Sequence, residues 1–266
     1  MISEELGYIR ELVNKNLPSE LQDAGKMIRV KIGVLILKML EIDVNATFLK
    51  FLSAVELIHN ASLFHDDVID DENIRRDTVS PNKSFGNKQT VLFGNLSVSN
   101  AFNILFEVEN PEILKGMNNC IKKMCYGELL QLENLYKIPS INDYIKKNRL
   151  KTASLFKYMM SGLSLLSDIK YKDKFESFGD NFGISFQISN DLEDYKKGID
   201  KSSDIQSGIY TAPVIYAKSV SFDCSAIKLT EELKNNYLKR AKSVINDLCN
   251  DDTNIYKKEL IGVIGC

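Results

Sequence analysis

Ile58-His59-Asn60-Ala61-Ser62-Leu63-Phe64-His65-Asp66-Asp67-Val68-Ile69-Asp70-Asp71 reads as the end of a helix over about 45–71. On that helix His59, Asp66 and Asp70 are seven and four residues apart, so they share one face. Carboxylates one turn apart repel each other unless a cation sits between them. Magnesium takes carboxylate and water ligands and also bridges phosphate oxygens, so Asp66, Asp67 and Asp70 suit a metal–diphosphate site. Arg75-Arg76 follow where a loop could fold back, and arginine is suited to bidentate contact with phosphate oxygens. A solvated acidic helix end is the ordinary reading of such a run. The apolar helix that carries it, the nearby arginines and the presence of both histidines of the protein favour a functional one.

A second acidic cluster lies more than a hundred residues on, at Phe186-Gln187-Ile188-Ser189-Asn190-Asp191-Leu192-Glu193-Asp194. Asn190 and Asp194 again share a helical face. An asparagine carbonyl can ligate magnesium but brings no charge, so this cluster should hold metal less tightly than the first. Cationic partners are available: Lys26 and Arg29 lie at i and i+3 in Gly25–Arg29, Lys151-Thr152 opens the apolar stretch 153–156, and Lys201 follows the second cluster.

Between these segments helical periodicity dominates. With 14 Gly and 5 Pro in 266 residues the breaks are few, and alternating Val/Ile/Thr-rich strands with turn pairs are missing. The expected fold is all-α, a single domain over 1–266, with helices at about 2–14, 19–41, 45–71, 87–107, 111–136, 141–166, 172–197, 207–219 and 228–249. The long polar interruptions at 72–86 and about 196–208 read as functional loops. A net charge of −2 gives no general reason to bind nucleic acid. No apolar run is long enough to span a bilayer, and the acidic, polar opening stretch is unlike a secretory signal. Five scattered cysteines with no CxxC pair read as buried thiols in a reducing cytoplasm, the expected location.

At these residues the sequence resembles the trans-polyprenyl diphosphate synthases, from about Ala24 to Ala217. The shared motifs, in order, are GKxxR at Gly25–Arg29, HxASLxHDDxxD at His59–Asp70, RR at Arg75-Arg76 followed by Phe85-Gly86-Asn87, GELLQLE at Gly127–Glu133, KTASLF at Lys151–Phe156, FQxxxDxxD at Phe186–Asp194 and TxP at Thr211–Pro213. The resemblance implies a helical bundle around a deep central cavity with both acidic motifs at its mouth, and a homodimer. It implies that Asp66, Asp67, Asp70, Asn190, Asp191 and Asp194 hold about three magnesium ions on an allylic diphosphate. Lys151, Thr152, Lys201, Gln187 and Arg75 would attend the departing diphosphate. Lys26, Arg29, His59 and Arg76 would hold isopentenyl diphosphate. His65 is given a helix-packing or metal-supporting place and no catalytic one. Ala61 and Ser62 are small and lie one turn before Asp66, so the growing chain is not blocked there. The hypothesis is a product longer than about C15, and an unchanged product length in Ala61→Phe would sink it.

Several positions depart from the family pattern: Met27, Val30, Asp77, Asn95, Asn190 and Ile209, the last standing where GKxT has lysine. The tail after Pro213 reads as shortened. These departures leave open a noncanonical enzyme on the same fold, either a terpene cyclase or a prenyltransferase with another acceptor, and a regulatory subunit of a heteromeric synthase. The intact DDxxD argues against the last.

Overall fold

The structure, a computed structural model, describes residues 2–21, 25–75, 78–168, 171–198, 202–219 and 223–265. They pack as two compact units, one of Met1–Met117, Leu165–Asp168 and Thr253–Val263, the other of Asn118–Ser164, Ile169–Asp252 and Ile264–Cys266. Apart from one short hairpin, the regular structure of the described residues is helical, as expected. None of these helices is long and apolar enough to cross a membrane.

The first unit contains α1 (Ser3–Asn16), α2 (Ile28–Met39), α3 (Ala46–Ile69), β1 (Ile74–Arg75), β2 (Thr78–Val79), α4 (Pro81–Phe85) and α5 (Asn87–Phe106). The helix expected over 19–41 is cut short at both ends. Gly25 and Met27 adopt left-handed φ of 64° and 51° before it, and Glu41 does so at 59° after it. Among the described residues of that stretch, a 3-10 turn at Ser19–Leu21 precedes it. The remaining α2 is apolar nearly all round and is buried nearly all round, through Val30, Ile32, Val34, Leu35 and Ile36. Helix α3 starts where the Asn45 side chain accepts from the amides of Thr47 at 3.0 Å and Phe48 at 3.3 Å. It buries Phe51, Leu52, Val55 and Leu57 and packs along α5. The stretch 72–86, read as a functional loop between two helices, holds the antiparallel β1–β2 pair, with Arg75 opposite Thr78, and the short α4.

The second unit takes the later part of α6 (Pro111–Glu133), then α7 (Ile141–Asn148), a π-helical turn (Arg149–Ala153), most of α8 (Ser154–Leu166), α9 (Lys172–Lys196), α10 (Ser203–Gln206), α11 (Ala212–Ser219) and α12 (Asp223–Leu248). α6 begins with Pro111 at its first position, and Asn110 Oδ1 accepts from the amides of Glu112 and Ile113. The single helix expected over 141–166 is three pieces, because the backbone widens into the π turn. That turn is pressed between two glycines. A Cβ on Gly127 of α6 would strike the backbone at Lys151, and one on Gly183 of α9 would strike Ala153. α9 packs along α12, burying Phe175, Phe178, Phe182, Ile184 and Ile188. Phe156 meets Phe182 edge-on at 5.1 Å and Phe186 at 5.6 Å; the first two rings are buried core and Phe186 is partly exposed at its edge. A last helix, α13 (Ile255–Gly265), was not anticipated. Of the cysteines expected to be buried, Cys120 is, whereas Cys125 is exposed and Cys249 partly so. The Cys224 side chain and Cys266 lie outside the described residues.

Candidate active site

The first unit carries the first acidic motif at the C-terminal end of α3. Asp66 and Asp70 are one turn apart there and both partly exposed. The negative end of the helix dipole adds to their charge, so the place favours a cation. Asp67 faces the other way: it is 1 % exposed and paired with the Arg75 guanidinium, whose Nε donates to Oδ1 at 2.6 Å. The hairpin brings Arg75 back to α3. Ser80 Oγ donates to the Glu72 carbonyl at 2.5 Å, and Thr78 Oγ1 to the Arg75 carbonyl at 2.8 Å. In this structure Asp67 therefore ties the loop to the helix.

The remaining residues of this unit are placed as follows. Arg29 is buried in the first turn of α2, while Lys26 is exposed in the turn before it, so the two do not share a helix edge. His59 is partly buried on α3, and its carbonyl accepts from Ser62 Oγ at 2.8 Å. Ala61 is buried. His65 reaches Asn95 Oδ1 at 3.3 Å and packs against Gly94, where a Cβ would strike its Nε2, a packing role between α3 and α5. Arg76 and Lys201 lie outside the described residues, as do Ala24 and Asp77.

The second unit assembles more than the sequence indicated. Asp191 is buried. Tyr144 donates its hydroxyl to Oδ2 at 2.5 Å, and Gln187 Nε2 donates to Oδ1 at 2.6 Å. Thr152 in turn donates to Gln187 Oε1 at 2.8 Å. Thr152 and Gln187 thus form a relay that fixes the Asp191 carboxylate. Burial raises the Asp191 carboxyl above its ordinary range, and the same burial, with the Asp191 charge beside it, drives the Tyr144 phenol well up.

Asp194 sits one turn later and accepts from Ser202 Oγ at 2.5 Å, Lys197 Nζ at 3.0 Å and the Asp204 amide at 3.3 Å. Burial works to raise its carboxyl, but the Ser202 and Lys197 hydrogen bonds outweigh that and hold it below its ordinary value. Asn190 is exposed. A third carboxyl joins this group: Asp204, in α10, is pushed up to about 7 by burial and by the charges of Asp191 and Asp194. On the opposite side of the charge balance, Lys151 is ion-paired with Glu128, and Lys147 lies 3.5 Å from Gln131 Oε1.

Tyr144, Lys147, Glu128 and Asp204 were not singled out from the sequence. Tyr144, Lys147 and Lys151 stand at i, i+3 and i+7, a helical spacing that could have been read. Asp204 sits in a polar loop, where an acidic residue carries no signal.

Three carboxyls crowded in one place, one of them driven toward neutrality, suit a hard divalent cation by donor chemistry. Among the described residues no three His, Cys, Asp or Glu side chains already stand in metal-holding arrangement.

Comparison with known proteins follows the same lines. The family model described as polyprenyl synthetase matches residues 10–249. Decaprenyl-diphosphate synthase of Dictyostelium discoideum is 36 % identical over 200 residues, 73 % of this chain and 44 % of that protein. A prenyl transferase of Cyanidium caldarium is 35 % identical over 203 residues, 73 % of this chain and 63 % of that protein. The chain thus spans roughly half the length of these curated relatives. Among solved structures, polyprenyl synthase from Caulobacter crescentus CB15, complexed with calcium and isoprenyl diphosphate, superposes with a TM-score of 0.89 at 22 % identity, over 99 % of this chain and 94 % of that one.

Proposed function

The chain belongs to the polyprenyl synthetase family, and on that premise we propose that it is a magnesium-dependent prenyltransferase that joins an allylic diphosphate to isopentenyl diphosphate. The observation that carries the proposal is the crowding of Asp191, Asp194 and Asp204 beside Lys151, with Asp204 raised to about 7. Lys197 already compensates Asp194, but Asp191 and Asp204 are both raised by burial, so a further cation there is favoured.

Asp66 and Asp70 in the first unit and, separately, Asp191, Asp194 and Asp204 in the second, with the neutral Asn190 carbonyl in reserve, would hold magnesium, which when bound would supply positive charge to a diphosphate. Tyr144, Gln187 and Thr152 keep Asp191 in one orientation before substrate arrives, so no reorganisation is needed during the reaction. Lys151 offers its ammonium to diphosphate oxygens in exchange for Glu128. Asp67 and Arg75 hold the loop after α3 in place. Lys26, Arg29 and His59 take the diphosphate of the isopentenyl substrate; Arg76 and Lys201 keep the roles the resemblance implies. The released diphosphate accepts the final proton, so no dedicated protein base is required.

Small residues at Ala61 and Ser62, together with the long-chain names of several relatives, support a product longer than about C15. Exposed Leu92 and Leu96 on α5, at 59 % and 54 %, support a homodimer, and a monomer in sedimentation equilibrium would contradict that part. The proposal as a whole is tested by Asp66→Asn and Asp191→Asn. Each should lower turnover on the order of 100-fold or more and raise the magnesium concentration required. Unchanged turnover in either variant would overturn it.

A further inference from the structure

We infer that Lys147 is a diphosphate-binding residue, a second cation placed beside Lys151 to take an oxygen of the incoming diphosphate. The inference rests on the diphosphate reading above and extends it to a residue that no motif marks. Lys147 lies in the last turn of α7, four residues before Lys151, with the π turn between them. Its ammonium is partly buried, 5.4 Å from the Tyr144 ring centroid and 3.5 Å from Gln131 Oε1. Among the described residues it makes no direct ion pair, although the charges of Asp191, Asp204 and Glu128 all act on it.

That placement is not what packing alone asks for. A side chain lying over an aromatic ring could be wholly apolar there, and a partly buried ammonium without a touching carboxylate is unfavourable. The three ammonium donors have one long contact to Gln131, whose own amide is held by Glu128 at 3.2 Å. Capacity for an acceptor therefore remains. The neighbouring Lys151 is the like charge that such an anion would relieve.

The recess beside Lys147 is also lined by Ile209 and Tyr210. Ile209 is the position where GKxT carries lysine, so this chain presents its cation to that recess from α7 instead. The competing account is that Lys147 serves only as a counter-charge for Asp191 and Asp204. The two accounts differ in what Lys147→Gln does to diphosphate binding: a counter-charge role predicts no loss of affinity, whereas an anion in the recess loses a donor that position 209, which lines the same recess, can supply.

Calorimetric titration of inorganic diphosphate in the presence of magnesium chloride separates them, using wild type, Lys147→Met, Lys147→Gln and the double variant Lys147→Met with Ile209→Lys. Both single variants should weaken diphosphate binding roughly 10- to 100-fold, and the double variant should recover most of it. Lys147→Gln carries the test if Lys147→Met does not fold. Wild-type affinity in Lys147→Gln, with or without a lower melting temperature, would overturn the inference, as would a double variant as weak as its parent or a wild type that does not bind the probe. A wild type that binds diphosphate as expected but makes no prenyl product would overturn the function proposed above and leave this inference standing.

Discussion

The Tyr144 hydroxyl donates to Asp191 Oδ2 across 2.5 Å, joining α7 to the second acidic motif in α9 through two buried side chains. Among the described residues the Asp191 carboxylate has one other side-chain donor, Gln187, so the phenol is a main determinant of its orientation. Tyr144→Phe removes the donor and keeps the ring. Leaving a buried acceptor short of a hydrogen bond costs about 1–3 kcal/mol. The expected outcome is a destabilisation of that order in urea unfolding and a higher magnesium requirement in turnover. A variant with wild-type magnesium dependence would contradict the assignment of Asp191 as a metal ligand.

The Arg75–Asp67 pair makes a different prediction. Arg75 is 30 % exposed in its side chain but Asp67 only 1 %, so removing the cation takes the Arg75 ion pair from a buried carboxylate. Arg75→Met should destabilise the protein by about 1–3 kcal/mol, less than a fully buried pair because the guanidinium is partly solvated. Asp67→Asn with Arg75→Met should recover part of the loss, read as a midpoint shift in urea. An Arg75→Met variant as stable as wild type would show that the hairpin does not depend on this tie.

Acid and base should each weaken the contact between α1 and α2. Glu5 and Lys38 approach to 2.6 Å. Burial tends to raise the Glu5 carboxyl, but the Lys38 hydrogen bond and charge outweigh it, and it lies below the ordinary 4.5. The Glu5 hydrogen bond raises Lys38 above 10.5. The stabilisation from Glu5 is therefore complete above about pH 4.5 and lost as pH falls through the lowered value. That from Lys38 is complete below about pH 10.5 and lost above the raised value. Lys38→Met should cost up to about 1 kcal/mol at neutral pH. The gap to wild type should close in acid; a constant gap from pH 7 to pH 2 would rule the contact out as its source.

Gly208 tests how the loop carrying Asp204 is held. Its φ is +74°, its carbonyl accepts from the Tyr136 amide at 2.8 Å, and a Cβ there would come within 2.6 Å of the Tyr136 ring. Gly208→Ala combines a strained backbone with that clash, so a loss of about 1–3 kcal/mol is expected, with turnover lowered further because Asp204 moves. Tyr136→Ala in the same chain should relieve the clash but not the backbone strain. Full stability in Gly208→Ala would show that the loop adjusts freely.

Much of this was legible in the residues. α3, α5 and α9 could be read within about two residues, because their apolar spacing runs unbroken, and Asn45 marks the start of α3 as Asn110 and Pro111 mark that of α6. The left-handed Met27 could not be seen, since nothing in its chemistry asks for that backbone. The π turn at Arg149–Ala153 kept a helical apolar pattern and so passed for α-helix. Within the site, the Asp66–Asp70 spacing was readable because it depends on one helix. The pairing of Tyr144 with Asp191 and the approach of Asp204 to Asp194 depend on segments 47 and 10 residues apart, and local patterning carries no record of either.

The most direct measurement is the mass of what the protein makes. Purified protein is incubated with magnesium and allylic diphosphates from about C5 to C20, with and without isopentenyl diphosphate. The account predicts prenyl diphosphates longer than about C15, formed only when isopentenyl diphosphate is present and abolished by chelation of magnesium. Hydrocarbon or alcohol from the allylic substrate alone, or no product in either arm, would contradict it.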